Sequence, residues 1–113
     1  MSEQAIPVLR VTDALATAEW YRRLGFEVEF EHRFGPEFPL FVGIVRDDIR
    51  LFLSEHRGDA MPHTLVYLRL RDIDGVALEF ETEVIEQDWA REVHLTDPGG
   101  NRLRIGWPAA AEA

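Results

Sequence analysis

The side chains that could perform covalent chemistry are few in this sequence. Cysteine is absent, which excludes disulfides, thiolate nucleophiles and zinc–thiolate sites. The two serines, Ser2 and Ser54, both lie outside a glycine-framed nucleophile turn. The acids fall mainly on solvated strand faces and in turns, as at Asp47 and Asp48 between two strands. No catalytic nucleophile is therefore predicted, and acid–base catalysis without a metal stays an open alternative.

A binding function is suggested by the stretch QDWAREVHLTDPGGNRLRIG, residues 87–106. Trp89 is flanked there by glutamine, aspartate and arginine, which is typical of a partly exposed loop residue. Its indole offers a flat, polarizable face to a planar ligand. The alternative is that Trp89 covers the hydrophobic core of the second half of the chain. The local pattern alone leaves both interpretations open.

Composition restricts the class of protein and its partners. The chain has 113 residues, 46% of them hydrophobic, with no apolar run long enough for a membrane span. We therefore expect a single cytoplasmic domain, residues 1–113. The net charge of −9 arises from 21 acids and 12 bases. Such a charge disfavours nucleic acids and anionic membranes as partners and would attract a cationic ligand.

A first module, about residues 5–54, is predicted to have the order β-α-β-β-β. After the extended AIPVLRV, Asp13 is a good N-cap for the helix ALATAEWYRRL, and Gly25 is placed to end it. The stretch FEVEFEHRF alternates with period two, which puts Val28 and Phe30 on one face and the glutamates on the other. LFVGIVR and IRLFLS follow as two further strands.

A second module, about residues 63–107, repeats this order in a shortened form. Its first strand, HTLVYLRLR, alternates so that Tyr67 and Leu68 take opposite faces. Only residues 72–88 remain for a helix, a strand and two connections, and a two-turn helix or an extended segment is possible there. REVHLT and NRLRIGW complete the module as strands joined by DPGG.

These paired modules resemble the vicinal oxygen chelate superfamily of glyoxalases, bleomycin resistance proteins and dioxygenases. VTDALATAEWYRRLGFEVEF and LTDPGGNRLRI carry the general resemblance. FVGIVRDDIRLFLS and QDWAREVHLTDPGGN are most similar to the bleomycin resistance proteins. The resemblance implies an α+β fold in which two βαβββ modules form a curved, partly open eight-stranded sheet. It also implies a homodimer whose protomers complete a ligand cleft.

The superfamily's enzymes imply a divalent metal held by histidine and glutamate at four strand positions. Those positions fall here on Ile6, Phe52, Leu65 and Arg104. Three apolar side chains and a cation cannot coordinate a divalent metal. No metal, no other cofactor and no catalytic residue is therefore predicted. A displaced site stays an alternative, because His63 lies two residues before Leu65 on the same strand face.

The bleomycin resistance proteins imply a cleft in which two aromatic side chains sandwich the planar part of a cationic glycopeptide. The matching positions are Phe41 and Trp89. Arg91 and Glu92 are expected to anchor the cleft wall by hydrogen bonds. The other predicted ligand-binding residues, with Phe38 as an aromatic flap on a long loop, are Glu29, Phe30, Phe38, Ser54 and Tyr67.

We therefore predict a small-molecule binding protein that sequesters a cationic, partly aromatic antibiotic at a dimer cleft without turnover. One alternative is an enzyme of the same superfamily, either metal-dependent with displaced ligands or metal-free with an acid or His94 as its base. Another is a scaffold that keeps the fold for protein association. Turnover of a candidate compound separates the enzyme from the binding protein.

Overall fold

The computed structural model describes residues 2–109, which fall into two compact units. Among these residues, unit 1 comprises residues 2–64 and 97–101, and unit 2 comprises residues 65–96 and 102–109. The single domain predicted over residues 1–113 stays a prediction, and its ends, Met1 and residues 110–113, lie outside the described residues.

Each unit contains one helix and a four-stranded sheet. The elements are β1 (Val8–Arg10), α1 (Ala14–Arg22), β2 (Glu27–His32), β3 (Phe41–Arg46), β4 (Ile49–Ser54), β5 (Leu65–Arg69), α2 (Ile73–Glu79), β6 (Ile85–Glu86), β7 (Ala90–Thr96) and β8 (Arg102–Pro108). Unit 1 has the strand order β1-β4-β3-β2, and unit 2 has the order β5-β8-β7-β6. Strand β1 pairs with β4 in parallel, β5 pairs with β8 in parallel, and the other pairs are antiparallel. The predicted α+β class with two βαβββ modules is confirmed, and its eight strands hydrogen-bond as two sheets of four.

Helix α1 begins and packs as its sequence predicts. The Asp13 side chain accepts a hydrogen bond from the Ala16 amide at 3.0 Å, which satisfies one of the free donors at the helix start. The residues of its buried face are Ala14, Thr17, Ala18 and Tyr21. Helix α1 contacts β2, β3 and β4, and the apolar side chains of these strands that are at most 1% exposed are Val42, Ile44, Leu51 and Leu53. Burial of such side chains stabilises a fold by about 1.5–3 kcal/mol each.

The shortened stretch of the second module does form a helix. Asp72 caps α2, and its carboxylate accepts a hydrogen bond from the Gly75 amide at 2.9 Å. A methyl group at Gly75 would overlap this carboxylate, so the cap depends on glycine. Strand β6 then has only two residues. Neither α1 nor α2, the helices of the described chain, has the length and apolar character needed to cross a membrane.

Strand β2 departs from the predicted alternation at Glu29. In the register with β3, Val28 pairs with Ile44 and Phe30 pairs with Gly43, so Glu29 is an extra residue in a β-bulge. Directly opposed residues of an antiparallel pair share a face of the sheet. Phe30 therefore lies on the face of Gly43, and the prediction that it shares a face with Val28 is wrong.

The turn of residues 97–101, DPGGN, is held within unit 1 by a buried carboxylate. Asp97 is 4% exposed and accepts hydrogen bonds from the Tyr21 hydroxyl at 2.7 Å and from the amides of Gly99 and Asn101 at 2.8 and 2.9 Å. Burial, followed by the neighbouring Asp97 charge, raises the pKa of Tyr21 above its ordinary value. The phenol therefore remains a donor across the neutral pH range.

Replacing Tyr21 by phenylalanine should lower the free energy of unfolding by about 1–3 kcal/mol, because a buried carboxylate loses one of its donors. Urea unfolding followed by circular dichroism measures this change. Leu15→Ala, at a helix residue 45% exposed, serves as the control and should change stability far less. Equal stability of Tyr21→Phe and the wild type would show that the hydroxyl does not hold the turn.

Candidate functional site

Three phenylalanines form an aromatic cluster on one face of the unit 1 sheet. The rings of Phe30 and Phe41 are stacked with centroids 6.1 Å apart and an interplanar angle of 19°. Phe52 meets both rings edge-on, at 5.5 Å from Phe30 and 5.3 Å from Phe41. Gly43 pairs with both Phe30 and Phe52, and a methyl group at this position would overlap the Phe30 ring. The cluster therefore depends on the bulge and on this glycine.

A pocket of about 390 Å³, here called the aromatic pocket, lies beside the cluster. Its lining residues are Phe30, His32, Phe34, Phe41, His56 and Asp59. The Phe34 ring stands edge-on to His32 at 4.6 Å and to His56 at 5.9 Å. The pocket therefore presents ring faces and ring edges together with one carboxylate. Such a volume lies within the range of small-molecule sites.

Asp59 is held in the wall of this pocket by Ser54. The Ser54 hydroxyl donates to the Asp59 carboxylate at 2.6 Å and accepts from the His56 amide at 3.1 Å. Ser54 itself is fully buried. In this structure the Ser54 hydroxyl contacts Asp59, and the contact of Ser54 with a ligand stays a prediction. Within the described residues no cation pairs with Asp59, so its charge is available to a ligand.

Two other predicted site residues of unit 1 lie outside the lining of the aromatic pocket. Both carboxylate oxygens of Glu29 accept hydrogen bonds from Arg50, each at 3.0 Å, and these bonds lower the pKa of Glu29. Phe38 is 54% exposed, and its carbonyl oxygen accepts a hydrogen bond from Arg33 at 2.7 Å. Phe34, which is 72% exposed and belongs to the same loop, lines the aromatic pocket, and the role of Phe38 as a flap stays a prediction.

Trp89 belongs to unit 2 and is an exposed residue. The side chain is 55% exposed, which contradicts the interpretation that it covers a hydrophobic core. Its ring lies 6.3 Å from the Tyr67 ring at an angle of 33°. The guanidinium carbon of Arg104 lies 5.6 Å from the Trp89 ring and 5.7 Å from the Tyr67 ring. Tyr67 is 41% exposed and Leu68 only 4%, as the predicted alternation of β5 requires.

A buried carboxylate, Glu92, lies at the centre of the polar network of unit 2. It is fully buried and accepts hydrogen bonds from Arg104 at 2.8 and 3.0 Å, and from the Tyr67 hydroxyl at 3.2 Å. His94 Nε2 lies 2.9 Å from the same carboxylate. Gly106 makes this arrangement possible, because a methyl group there would overlap the Tyr67 hydroxyl.

The hydrogen bonds of Glu92 outweigh the cost of burying its charge. Burial raises the pKa of Glu92, but the bonds with His94, Arg104 and Tyr67 together lower it below the ordinary value. Burial, followed by the Glu92 charge, raises the pKa of Tyr67. The expectation that Glu92 anchors by hydrogen bonds agrees with this geometry. Arg91 instead pairs with Asp74 and Glu86.

The family of the chain follows from a comparison with models of known protein families. The model described as glyoxalase superfamily protein matches residues 1–109. The chain belongs to the glyoxalase superfamily. No match was found among curated protein sequences.

Solved structures similar to this member of the glyoxalase superfamily include three bleomycin resistance or binding proteins. A bleomycin resistance determinant encoded on transposon Tn5 is 25% identical, with a TM-score of 0.74, and 96% of this chain and 99% of that chain are covered. A bleomycin-binding protein complexed with bleomycin is 26% identical, with a TM-score of 0.71 and coverage of 94% and 98%. The bleomycin-binding protein of Streptomyces verticillus, complexed with copper(II)-bleomycin, is 30% identical, with a TM-score of 0.68 and coverage of 93% and 95%. The resemblance to bleomycin resistance proteins is thereby confirmed.

The positions matched to the metal ligands of glyoxalase superfamily enzymes do not fit a divalent metal in this chain. Ile6, Phe52 and Leu65 carry no donor atom, and the Arg104 guanidinium is bonded to Glu92. Within residues 2–109, no three or more histidine, aspartate or glutamate side chains are grouped so that they could hold a metal ion. A displaced metal site at His63 would need further ligating side chains beside it, and the described residues supply no such group.

The stability of this glyoxalase superfamily protein should depend on pH through Glu92. A carboxyl whose pKa is lower in the folded than in the unfolded chain stabilises the fold above the unfolded value. This contribution is lost as the pH falls through the folded value. For Glu92 the ordinary value is 4.5 and the folded value is lower, so the loss should occur below pH 4.5.

Replacing Glu92 by glutamine should lower the stability at neutral pH and remove this part of the acid dependence. Urea unfolding at pH 7 and at steps from about pH 5 to about pH 3 measures both effects. Glu83→Gln, at an exposed carboxylate of unit 2, is the matched control and should leave the acid dependence of the wild type. Parallel curves for Glu92→Gln and the wild type would contradict the role of Glu92.

Proposed function

We propose that this protein binds and sequesters a cationic, partly aromatic antibiotic of the bleomycin type without converting it. The observation that carries the proposal is the aromatic pocket of unit 1. There, Phe30, Phe34 and Phe41 line the same 390 Å³ space as the Asp59 carboxylate. Such a site combines flat apolar surfaces with one free negative charge.

The chemistry of the aromatic pocket suits a planar cation. Phenylalanine faces and edges stack with a heteroaromatic ring, each contact contributing about 0.5–1.5 kcal/mol beyond the area buried. A cationic group over an aromatic ring gains about 0.5–2 kcal/mol, depending on its exposure to solvent. Asp59 is fixed by the Ser54 hydroxyl and has no competing cation within residues 2–109, so it can meet the ligand charge directly. The net charge of −9 would accelerate the approach of a cation.

Phe41 and Trp89 are proposed to be the two stacking residues of clefts formed between two protomers. Phe41 lines the aromatic pocket of unit 1, and Trp89 presents an exposed indole in unit 2. Tyr67 and Arg104 lie against the Trp89 ring and would hold it in place. Strand β1 is at the edge of the unit 1 sheet, and we propose it as part of the dimer interface.

The similar structures support the class of ligand. Two of them are complexes with bleomycin or copper(II)-bleomycin, and each shares more than 90% of this chain's length. The 26 and 30% identities support a related ligand. These identities are also compatible with a ligand that is a different compound of the same chemical class. The role of Asp59 in this proposal rests on the geometry of this chain alone.

A second candidate function is metal-free acid–base catalysis by His94. The buried Glu92 carboxylate lies 2.9 Å from His94 Nε2, and a carboxylate in this position fixes the orientation of an imidazole. The same carboxylate is also bonded to Arg104 and Tyr67. This sharing favours a structural network, so we rank binding first. Conversion of a candidate compound that is lost in His94→Ala would support catalysis instead.

Removing either stacking ring should weaken the binding of bleomycin about tenfold, because a ring at a ligand contact contributes about 1.4 kcal/mol or more. The variants are Phe41→Ala and Trp89→Ala, and isothermal titration measures their affinities. Leu78→Ala, at an 80% exposed residue of α2, is the control and should bind like the wild type. Trp89→Ala should also lose most of the ligand-induced fluorescence quench. Unchanged affinities in well-folded Phe41→Ala and Trp89→Ala proteins would refute the stacking pair.

The protein should be a homodimer that returns its ligand chemically unchanged. Light scattering at micromolar concentration should give twice the chain mass of 13.0 kDa. Mass spectrometry after prolonged incubation should recover bleomycin with its original mass. A monomer that binds bleomycin would contradict the shared cleft, and a modified product would favour the enzyme over the binding protein.

A further inference from the structure

A second pocket of unit 1, here called the basic pocket, has charges opposite to those of the aromatic pocket. Its volume is about 400 Å³. The charged and titratable side chains in its lining are Arg10, Arg57 and His63, and the lining includes no aspartate or glutamate. Such a grouping of bases is unexpected in a chain of net charge −9. The basic pocket therefore needs an explanation separate from the attraction of cations.

The two arginines of the basic pocket have no side-chain partner among the described residues. Neither the Arg10 nor the Arg57 guanidinium forms a hydrogen bond or an ion pair within residues 2–109. Arg50 and Arg104, in contrast, are each bonded to a carboxylate. An unpaired guanidinium offers donors in a planar fork that matches the oxygens of a phosphate or a carboxylate.

The frame of the basic pocket is fixed by the buried Asn101. Its side-chain nitrogen donates to the Arg10 carbonyl at 2.9 Å, and its side-chain oxygen accepts from the Thr64 amide at 3.1 Å. Asn101 is fully buried, so these bonds hold the end of β1 and the segment that follows His63. Gly99 closes the frame, because a methyl group there would approach the Arg10 carbonyl oxygen to 3.1 Å.

We propose that the basic pocket binds an oxyanion, a phosphate or a carboxylate, carried on a small apolar body. Arg10 and Arg57 would bind the oxyanion, and His63 lines the same space. Ala60, Met61 and Pro62 supply apolar surface for the rest of the molecule. The volume is in the range of small-molecule sites and exceeds the space that one inorganic ion requires. The basic pocket shares no lining residue with the aromatic pocket, and this proposal does not rest on the cation site proposed there.

Isothermal titration with phenyl phosphate, benzoate and inorganic phosphate tests the proposal. At least one of the two aromatic anions should saturate the protein and bind more tightly than inorganic phosphate. Tighter binding of phenyl phosphate assigns a phosphate site, and tighter binding of benzoate assigns a carboxylate site. Arg10→Gln and Arg57→Gln should each weaken the better ligand about tenfold, because each removes a charged hydrogen-bond donor.

Arg69→Gln is the matched control, since it removes the same charge from an exposed residue that does not line the basic pocket. It should change the affinity less than twofold, as expected for an exposed charge outside the site at moderate salt. Thermal unfolding of each variant checks that the fold is retained. Equal weakening by all three substitutions, equal affinity for inorganic phosphate, or no saturable binding of either aromatic anion would overturn the proposal.

Discussion

The β-bulge at Glu29 is the constraint on which the aromatic pocket depends. A regular strand would keep Phe30 on the face of Val28 and Ile44, against the core beneath α1. The extra residue turns Phe30 to the opposite face, where it meets Phe41 and Phe52. A bulge can re-aim a side chain in this way while the strand on each side stays paired. The cluster and the pocket beside it follow from one inserted residue.

Two carboxylates, Asp59 and Glu92, differ in how far the protein compensates their charge. Glu92 is fully buried and receives hydrogen bonds from Arg104 and Tyr67, with His94 also within bonding distance. The negative charge of Glu92 is therefore compensated by residues of unit 2. The Asp59 carboxylate accepts one side-chain hydrogen bond, from the Ser54 hydroxyl, and forms no ion pair with a cation among the described residues. A carboxylate that is held in place and left without a cation is the one suited to a charged ligand.

The fold could be predicted from sequence because its signals are local. Asp13 caps α1 as expected, and the β5 alternation separates Tyr67 from Leu68 as expected. The bulge could not be predicted, since EVEFEH alternates perfectly and the register is fixed by pairing with β3. Superfamily membership was likewise recognisable from motifs spread over nearly the whole chain.

The candidate site was predictable only in part. The resemblance predicts Phe30 and Phe41 as site residues, and both line one pocket together with Phe34, which the sequence did not indicate. Ser54 was chosen as a contact, but its distance to Asp59 is decided by a turn that the sequence does not specify. Glu92 was assigned only a supporting role, because its contacts require the register of β7 with β8. Whether these residues bind ligand stays a prediction.

The proposed contact between Asp59 and a cationic ligand can be tested by removing the charge of this residue. Isothermal titration with bleomycin at low and moderate salt should compare the wild type with Asp59→Asn, which keeps an acceptor for Ser54 and removes the charge. Asp47→Asn is the control, because it removes one charge from a turn whose positive φ of 50° asparagine tolerates. We predict that Asp59→Asn weakens binding about tenfold and that Asp47→Asn changes it little. Equal affinities of Asp59→Asn and the wild type, with the fold retained, would contradict the proposed site.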